Sequence, residues 1–140
     1  MPSRFRSRQI ALQTLFACDV RHIPVQQAFE EFYGSLAREE DGPEPEPDPF
    51  AERLALGAAA KTGEIDALIA RHSEHWRMDR MPIVDRNILR LAAYEMKEMA
   101  TPSAVVIDQA LELARRFSTD DSIAFLNGVL DAVNRELHPV

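Results

Sequence analysis

The chain has 140 residues, 46% hydrophobic and 28% charged, with a formal net charge of −7, proportions that predict one globular domain over residues 1–140. It holds no run of the ~18 apolar residues a membrane span needs, and the opening MPSRFRSRQ lacks a secretory apolar stretch, so a cytoplasmic protein is expected. Cys18 is the only cysteine, which excludes an intramolecular disulfide and a thiolate zinc cage.

Strand-like alternation is almost absent, and helical spacing runs through the chain. In residues 4–18, Phe5, Gln9, Leu12, Leu15 and Phe16 recur at three and four and predict a first helix. Pro24 opens a second, with Val25, Ala28, Phe29, Phe32 and Leu36 as its stripe. Residues 39–49 carry six acids, no base and no aliphatic side chain. Their prolines fix φ and remove donors, so the segment reads as a solvated acidic connector. Pro49 starts a third segment to about His72 through Phe50, Leu54, Leu56, Ile65, Leu68 and Ile69. Gly57 and Gly63 make it either one bent helix or two.

Pro82 begins the next segment, whose face is Val84, Ile88, Leu91, Ala92, Glu95 and Met99, widened by Leu89 and Met96. Thr101-Pro102 reads as an N-cap and first-turn proline, followed by a face of Ile107, Ala110, Leu111, Ala114 and Phe117. Ser118-Thr119-Asp120-Asp121 offers caps for a last helix carrying Ile123, Leu126, Leu130, Val133 and Leu137. The expected fold is all-α, with six or seven helices around one core.

Few residues suggest catalysis. His72 and His75 sit three apart without a third ligand, and read as polar residues at a frayed helix end. Cys18, between Ala17 and Asp19, has no electropositive setting to lower a thiol pKa and reads as core filler. The five glycines are scattered, so no phosphate loop is present. No enzyme, metal or cofactor is expected.

The charge is more informative once placed. Residues 1–21 carry Arg4, Arg6, Arg8 and Arg21 against Asp19 alone, so most of the acidity lies in the connector and the N-terminus is basic. Three arginines in five residues on a flexible lead-in suit bidentate pairing with phosphates, and equally suit a terminus that only aids solubility. Asn127-Gly128 interrupts the strongest helical pattern with two poor helix formers. Either a tight crossing needs the missing Cβ, or a ligand or partner approaches the backbone there.

Taken in order, these residues resemble the NusB transcription antitermination factors. The likeness runs through His72-Ser73, Trp76, Arg80-Met81, Val84-Asp85-Arg86, Ile88-Leu89-Arg90 and Ala93-Tyr94-Glu95. It continues through Thr101-Pro102, Val106-Ile107, Ala110, Glu112-Leu113-Ala114 and Phe125-Leu126-Asn127-Gly128-Val129-Leu130-Asp131. The arginine-rich start and Ala11-Leu12-Gln13 with Leu15-Phe16 extend it to residues 4–18. The sequence departs at Asp108-Gln109, where Asn-Glu is usual, and at Phe16, where Tyr is frequent.

The resemblance implies an all-helical fold in two small bundles and no enzymatic activity. It implies binding to the boxA RNA of ribosomal RNA leaders together with the ribosomal protein NusE, and recruitment with other Nus factors to the RNA polymerase elongation complex. A homodimer of the free chain also fits. Carried over residue by residue, it assigns RNA contact to Arg4, Arg6, Arg8, Asp121 and Phe125, and contact with NusE to Phe16 and Asp85. Asn127 is of a type suited to hydrogen-bonding a base edge. Alanine at both Arg6 and Arg8 is then expected to weaken RNA binding without altering thermal stability. Two other functions fit the helical pattern less well: a purely protein-binding scaffold, and a targeting module like those fused to RNA methyltransferases. The latter would be followed by a doubly wound domain with a glycine-rich loop, and none is expected after Val140.

Overall fold

Ser3 sets the start of the first helix: its extended backbone turns the chain in, and its Oγ accepts the Arg6 N–H at 3.1 Å. The computed structural model describes residues 3–39, 46–74 and 76–140. Among them are seven α-helices and no strand: α1 (Arg4–Arg21), α2 (Val25–Glu39), α3 (Pro49–Ala60), α4 (Thr62–Ala70), α5 (Ile83–Glu98), α6 (Ser103–Phe117) and α7 (Asp120–Leu137). A 3₁₀ turn, Met78–Arg80, precedes α5. No helix among the described residues is long and apolar enough to cross a membrane.

Two helical groups share α5. Helices α1 to α4 pack around α1 and α3, α5 to α7 pack mutually, and α5 also lies against α1, α3 and α4. Being contacted from several sides, α5 is buried around much of its circumference, including Asp85, Asn87 and Glu95. Leu54, Ile65, Ile69, Leu89, Leu126 and Leu130 form the fully buried centre of one continuous cluster. Each such side chain contributes roughly 1.5–3 kcal/mol of transfer free energy.

The third predicted segment is two helices, broken at Lys61, whose backbone (φ −114°, ψ 22°) leaves helical geometry. Gly57 does something other than weaken the helix. A Cβ there would overlap the Tyr94 ring, so the glycine lets α3 lie directly on α5. Gly128 shows the reverse: α7 runs through it without interruption, and nothing lies within 4 Å of where its Cβ would stand. The tight-crossing explanation for Asn127-Gly128 is thereby excluded.

Several expected faces are rotated. On α1 the buried residues are Ser7, Arg8, Ile10, Ala11, Leu12, Thr14 and Leu15, while Phe16 is exposed. On α6 they are Val106, Ala110, Leu113 and Ala114, and Phe117 is exposed. Thr101 is not the α6 cap, since helical geometry begins after Pro102 and no side-chain cap bond forms. At α7 the expected hydroxyl cap is present, as Thr119 accepts from the Ser122 N–H.

The acidic connector is not solvated throughout. Residues 40–45 lie outside the described residues, but Asp48 is buried and caps α3 by accepting the Ala51 N–H at 3.0 Å. Ser7 donates to its other oxygen at 2.7 Å, and its own N–H reaches the Tyr33 hydroxyl at 2.9 Å. The composition of the segment conceals this because a buried carboxylate with several donors resembles an exposed one in sequence.

Candidate nucleic-acid and partner interface

The N-terminal arginines have three different fates. Arg8 is buried, and its guanidinium donates to both Glu95 oxygens at 2.8 and 2.6 Å and to Gln109 Oε1 at 3.2 Å. Its phosphate-binding fork is therefore occupied inside the protein, which corrects its expected place on a flexible lead-in. Arg4 is exposed and lies over the Phe50 ring at 4.1 Å. Arg6 makes no side-chain ion pair with any described residue. Arg4 lines an open cleft of about 530 Å³ with Arg53, Phe50 and Val105, so Arg53 adds a basic group that the N-terminal pattern alone did not reveal.

A second surface lies where the start of α5 meets the α6–α7 corner. Asp85 is buried there, accepting from Ser118 Oγ at 2.5 Å and from Ser122 Oγ at 2.6 Å. With each oxygen engaged by a hydroxyl, Asp85 braces the corner from the floor of the adjoining cleft and is buried, where a carboxylate facing NusE was expected. Above it, a cleft of about 320 Å³ is lined by Trp76, Pro82, Asp121, Ser122 and Phe125. Trp76 and Phe125 form a tilted pair with centroids 6.2 Å apart. Asp121 and Phe125 are one helical turn apart and share this cleft. Asn127 does not join them: two residues beyond Phe125 it points about 200° round the helix, beside exposed Asp120, Ala124 and Asp131. Two carboxylates in that stripe disfavour an RNA backbone there.

A third surface adjoins the second. Phe16 and Phe117 are 38% and 39% exposed, large values for phenylalanine, and with Leu12, Gln13 and Val84 they line an apolar cleft of about 260 Å³. Val84 and Phe117 are chain neighbours of Asp85 and Ser118, so the second and third surfaces lie on either side of the same corner. Phe117 had the spacing of a core residue, and only its position at the end of α6 hinted otherwise.

His72 Nε2 is 3.0 Å from Glu136 Oε1, His75 lies outside the described residues, and no group of three metal-ligating side chains occurs among those described. Cys18 is half-buried, and burial pushes its thiol pKa up.

The NusB family model matches residues 6–135. The chain belongs to the NusB family. The transcription antitermination protein NusB of Solibacter usitatus is 55% identical over 137 residues, covering 98% of this chain and 92% of that one. That of Koribacter versatilis is 46% identical, covering 96% and 90%. Among solved structures, T. maritima NusB superposes with a TM-score of 0.84 at 34% identity, over 99% of this chain and 94% of that one. A structure of the antitermination factors NusB and NusE in complex with dsRNA gives a TM-score of 0.80 at 25% identity, over 96% and 99%. The two-bundle, all-α arrangement is therefore the NusB fold, and the three surfaces above lie on a NusB frame.

Proposed function

We propose that this NusB-family chain is a non-catalytic transcription antitermination factor that binds boxA RNA together with NusE and joins the RNA polymerase elongation complex. The observation that carries this reading is the likeness, over nearly the whole chain, to a NusB solved with NusE and dsRNA. The surfaces divide in a compatible way. Exposed Arg4 and Arg53, with half-buried Arg6, supply positive charge for phosphates, and the Phe125–Asp121 cleft supplies an aromatic face with a hydrogen-bond acceptor. The Phe16–Phe117 cleft supplies apolar area for NusE.

Charge explains why a second protein is needed. At −7 overall, and with Arg8 spent internally, the chain has few phosphate partners. Alone it should hold RNA weakly and with a shallow salt dependence, and a basic partner beside the cleft supplies what is missing. An electrophoretic shift on boxA RNA with and without NusE tests this. A NusE-dependent gain is expected, and RNA retention that ignores NusE overturns it. The free chain burying its Phe16–Phe117 cleft in a homodimer is compatible with this role, and light scattering before and after adding NusE distinguishes the states.

A further inference from the structure

The geometry points to Trp76 as an RNA base-stacking residue, set so that bases enter toward Phe125 and Asp121 while the sugar–phosphate backbone runs over Arg77 and Arg80; this rests on the RNA-binding role proposed above. Trp76 is the only tryptophan in the chain and is 47% exposed, although an indole is among the most favourable side chains to bury. The Trp76 N–H donates to the Ser73 carbonyl at 3.2 Å, and buried Ser73 donates its hydroxyl to the Trp76 carbonyl at 3.1 Å. The ring leans on Phe125 at an interplanar angle of 51°.

Trp76 also divides two clefts of opposite character. On one side is the cleft with Asp121 and Phe125. On the other is one of about 490 Å³ lined by Arg77, Met78 and Arg80 together with Glu74. Arg80 makes no ion pair with a described residue, and Arg77 pairs only with Asp79, two positions on, with both side chains well exposed. Such an exposed pair is weak and gives way readily to a phosphate. An acidic wall repels phosphates but accepts from exocyclic base amino groups, whereas the arginines do the reverse. The two clefts therefore fix which way a single strand lies: phosphates on the arginine side, base edges on the carboxylate side, and a base face against the indole.

The single tryptophan makes its own probe. The full chain with NusE is titrated with a single-stranded boxA dodecamer, following tryptophan emission with the Trp76→Phe complex as blank, and, separately, anisotropy of end-labelled RNA. Emission should change with the same midpoint as anisotropy. Trp76→Ala should weaken RNA binding by at least about fivefold, as loss of one base–aromatic stack does, and Trp76→Phe should recover most of that. Arg80→Ala should lower the salt slope by about 1. RNA binding with unchanged Trp76 emission and full affinity in Trp76→Ala overturns the stacking role and leaves the RNA-binding role standing. Loss of NusE binding in Trp76→Ala reassigns the indole to the protein interface and also overturns it. No RNA binding by the wild-type pair overturns the RNA-binding role and the stacking role with it.

Discussion

Arg8 and Glu95, 87 residues apart in the chain, meet as a bidentate ion pair in the interior, with side chains 8% and 2% exposed. Removing one member of such a pair leaves a buried charge without a partner, at a cost of about 3–5 kcal/mol. Arg8→Ala should therefore lower the melting temperature by on the order of 10 °C. Arg6→Ala should change stability by less than about 0.5 kcal/mol and show its effect on RNA affinity. This replaces the expectation that alanine at both positions leaves stability untouched. Thermal melts of the two single variants decide, and equal melting of Arg8→Ala and wild type refutes the pairing.

The glycines separate in the same way. Gly57→Ala drives a Cβ into the Tyr94 ring, so α3 must move from α5 at a cost of about 1–3 kcal/mol. Gly128→Ala meets nothing and should stabilise α7 by about 0.5–1 kcal/mol. Urea midpoints should shift in opposite directions. A stabilised Gly128→Ala chain that also loses affinity for NusE or RNA would show that close approach to the α7 backbone is why glycine stands there.

Asp85 accepts from two serine hydroxyls on either side of the α6–α7 corner. Asp85→Ala leaves both without their acceptor and should cost about 1–3 kcal/mol. Because the corner holds the start of α7 beside the Phe125 cleft and the end of α6 beside the Phe16–Phe117 cleft, RNA and NusE affinities should fall together. Calorimetric titration with NusE alone, then with RNA, checks this, and a variant that loses only one affinity contradicts the shared corner.

Acid stability should depend on Asp19. Burial, the largest influence, raises its pKa, but hydrogen bonds from Arg86 and Asn87 and the charges of Arg86 and Arg90 outweigh it and hold it below 3.8. A carboxyl lowered in the folded state stabilises fully above its unfolded value, and that contribution disappears as pH falls below it. Asp19→Asn should therefore cost stability at about pH 6 and much less at about pH 3, read as urea midpoints at both. Glu136 is lowered further, to about 2, by hydrogen bonds from Arg71 and His72, yet it is solvent-screened and should matter less. An Asp19→Asn deficit that grows as pH falls would refute this assignment.

The helices were legible because their punctuation is chemical: Pro24, Pro49 and Pro82 each stand at a helix start, and apolar residues recur at three and four between them. The site was legible in part. Asp121 and Phe125 come together as helical spacing requires, and membership of the NusB family follows from pieces that hold their order along the chain. Arg8 was misread because an arginine's burial depends on a carboxylate far away in sequence, and local pattern carries no trace of it. Phe117 was misread for the converse reason, since an exposed phenylalanine near a helix end has the spacing of a core one, whereas Phe16 stood in the apolar stripe and was also expected to face a partner. The Trp76–Phe125 pair needed the turn before α5 and the start of α7 to be placed in space.

The dependence of α1 on later sequence has a consequence during synthesis. Ser7 finds Asp48 after 41 residues, Asp19 finds Arg86 after 67, Arg8 finds Glu95 after 87, and Gln109 follows at 101. At roughly 5–20 residues per second, α1 waits on the order of 4–17 s after Arg8 is added before Glu95 follows it. Throughout that interval the chain has no Glu95 for Arg8 to pair with. The same side chain that the finished protein keeps internal is then, for a few seconds, free to bind phosphate.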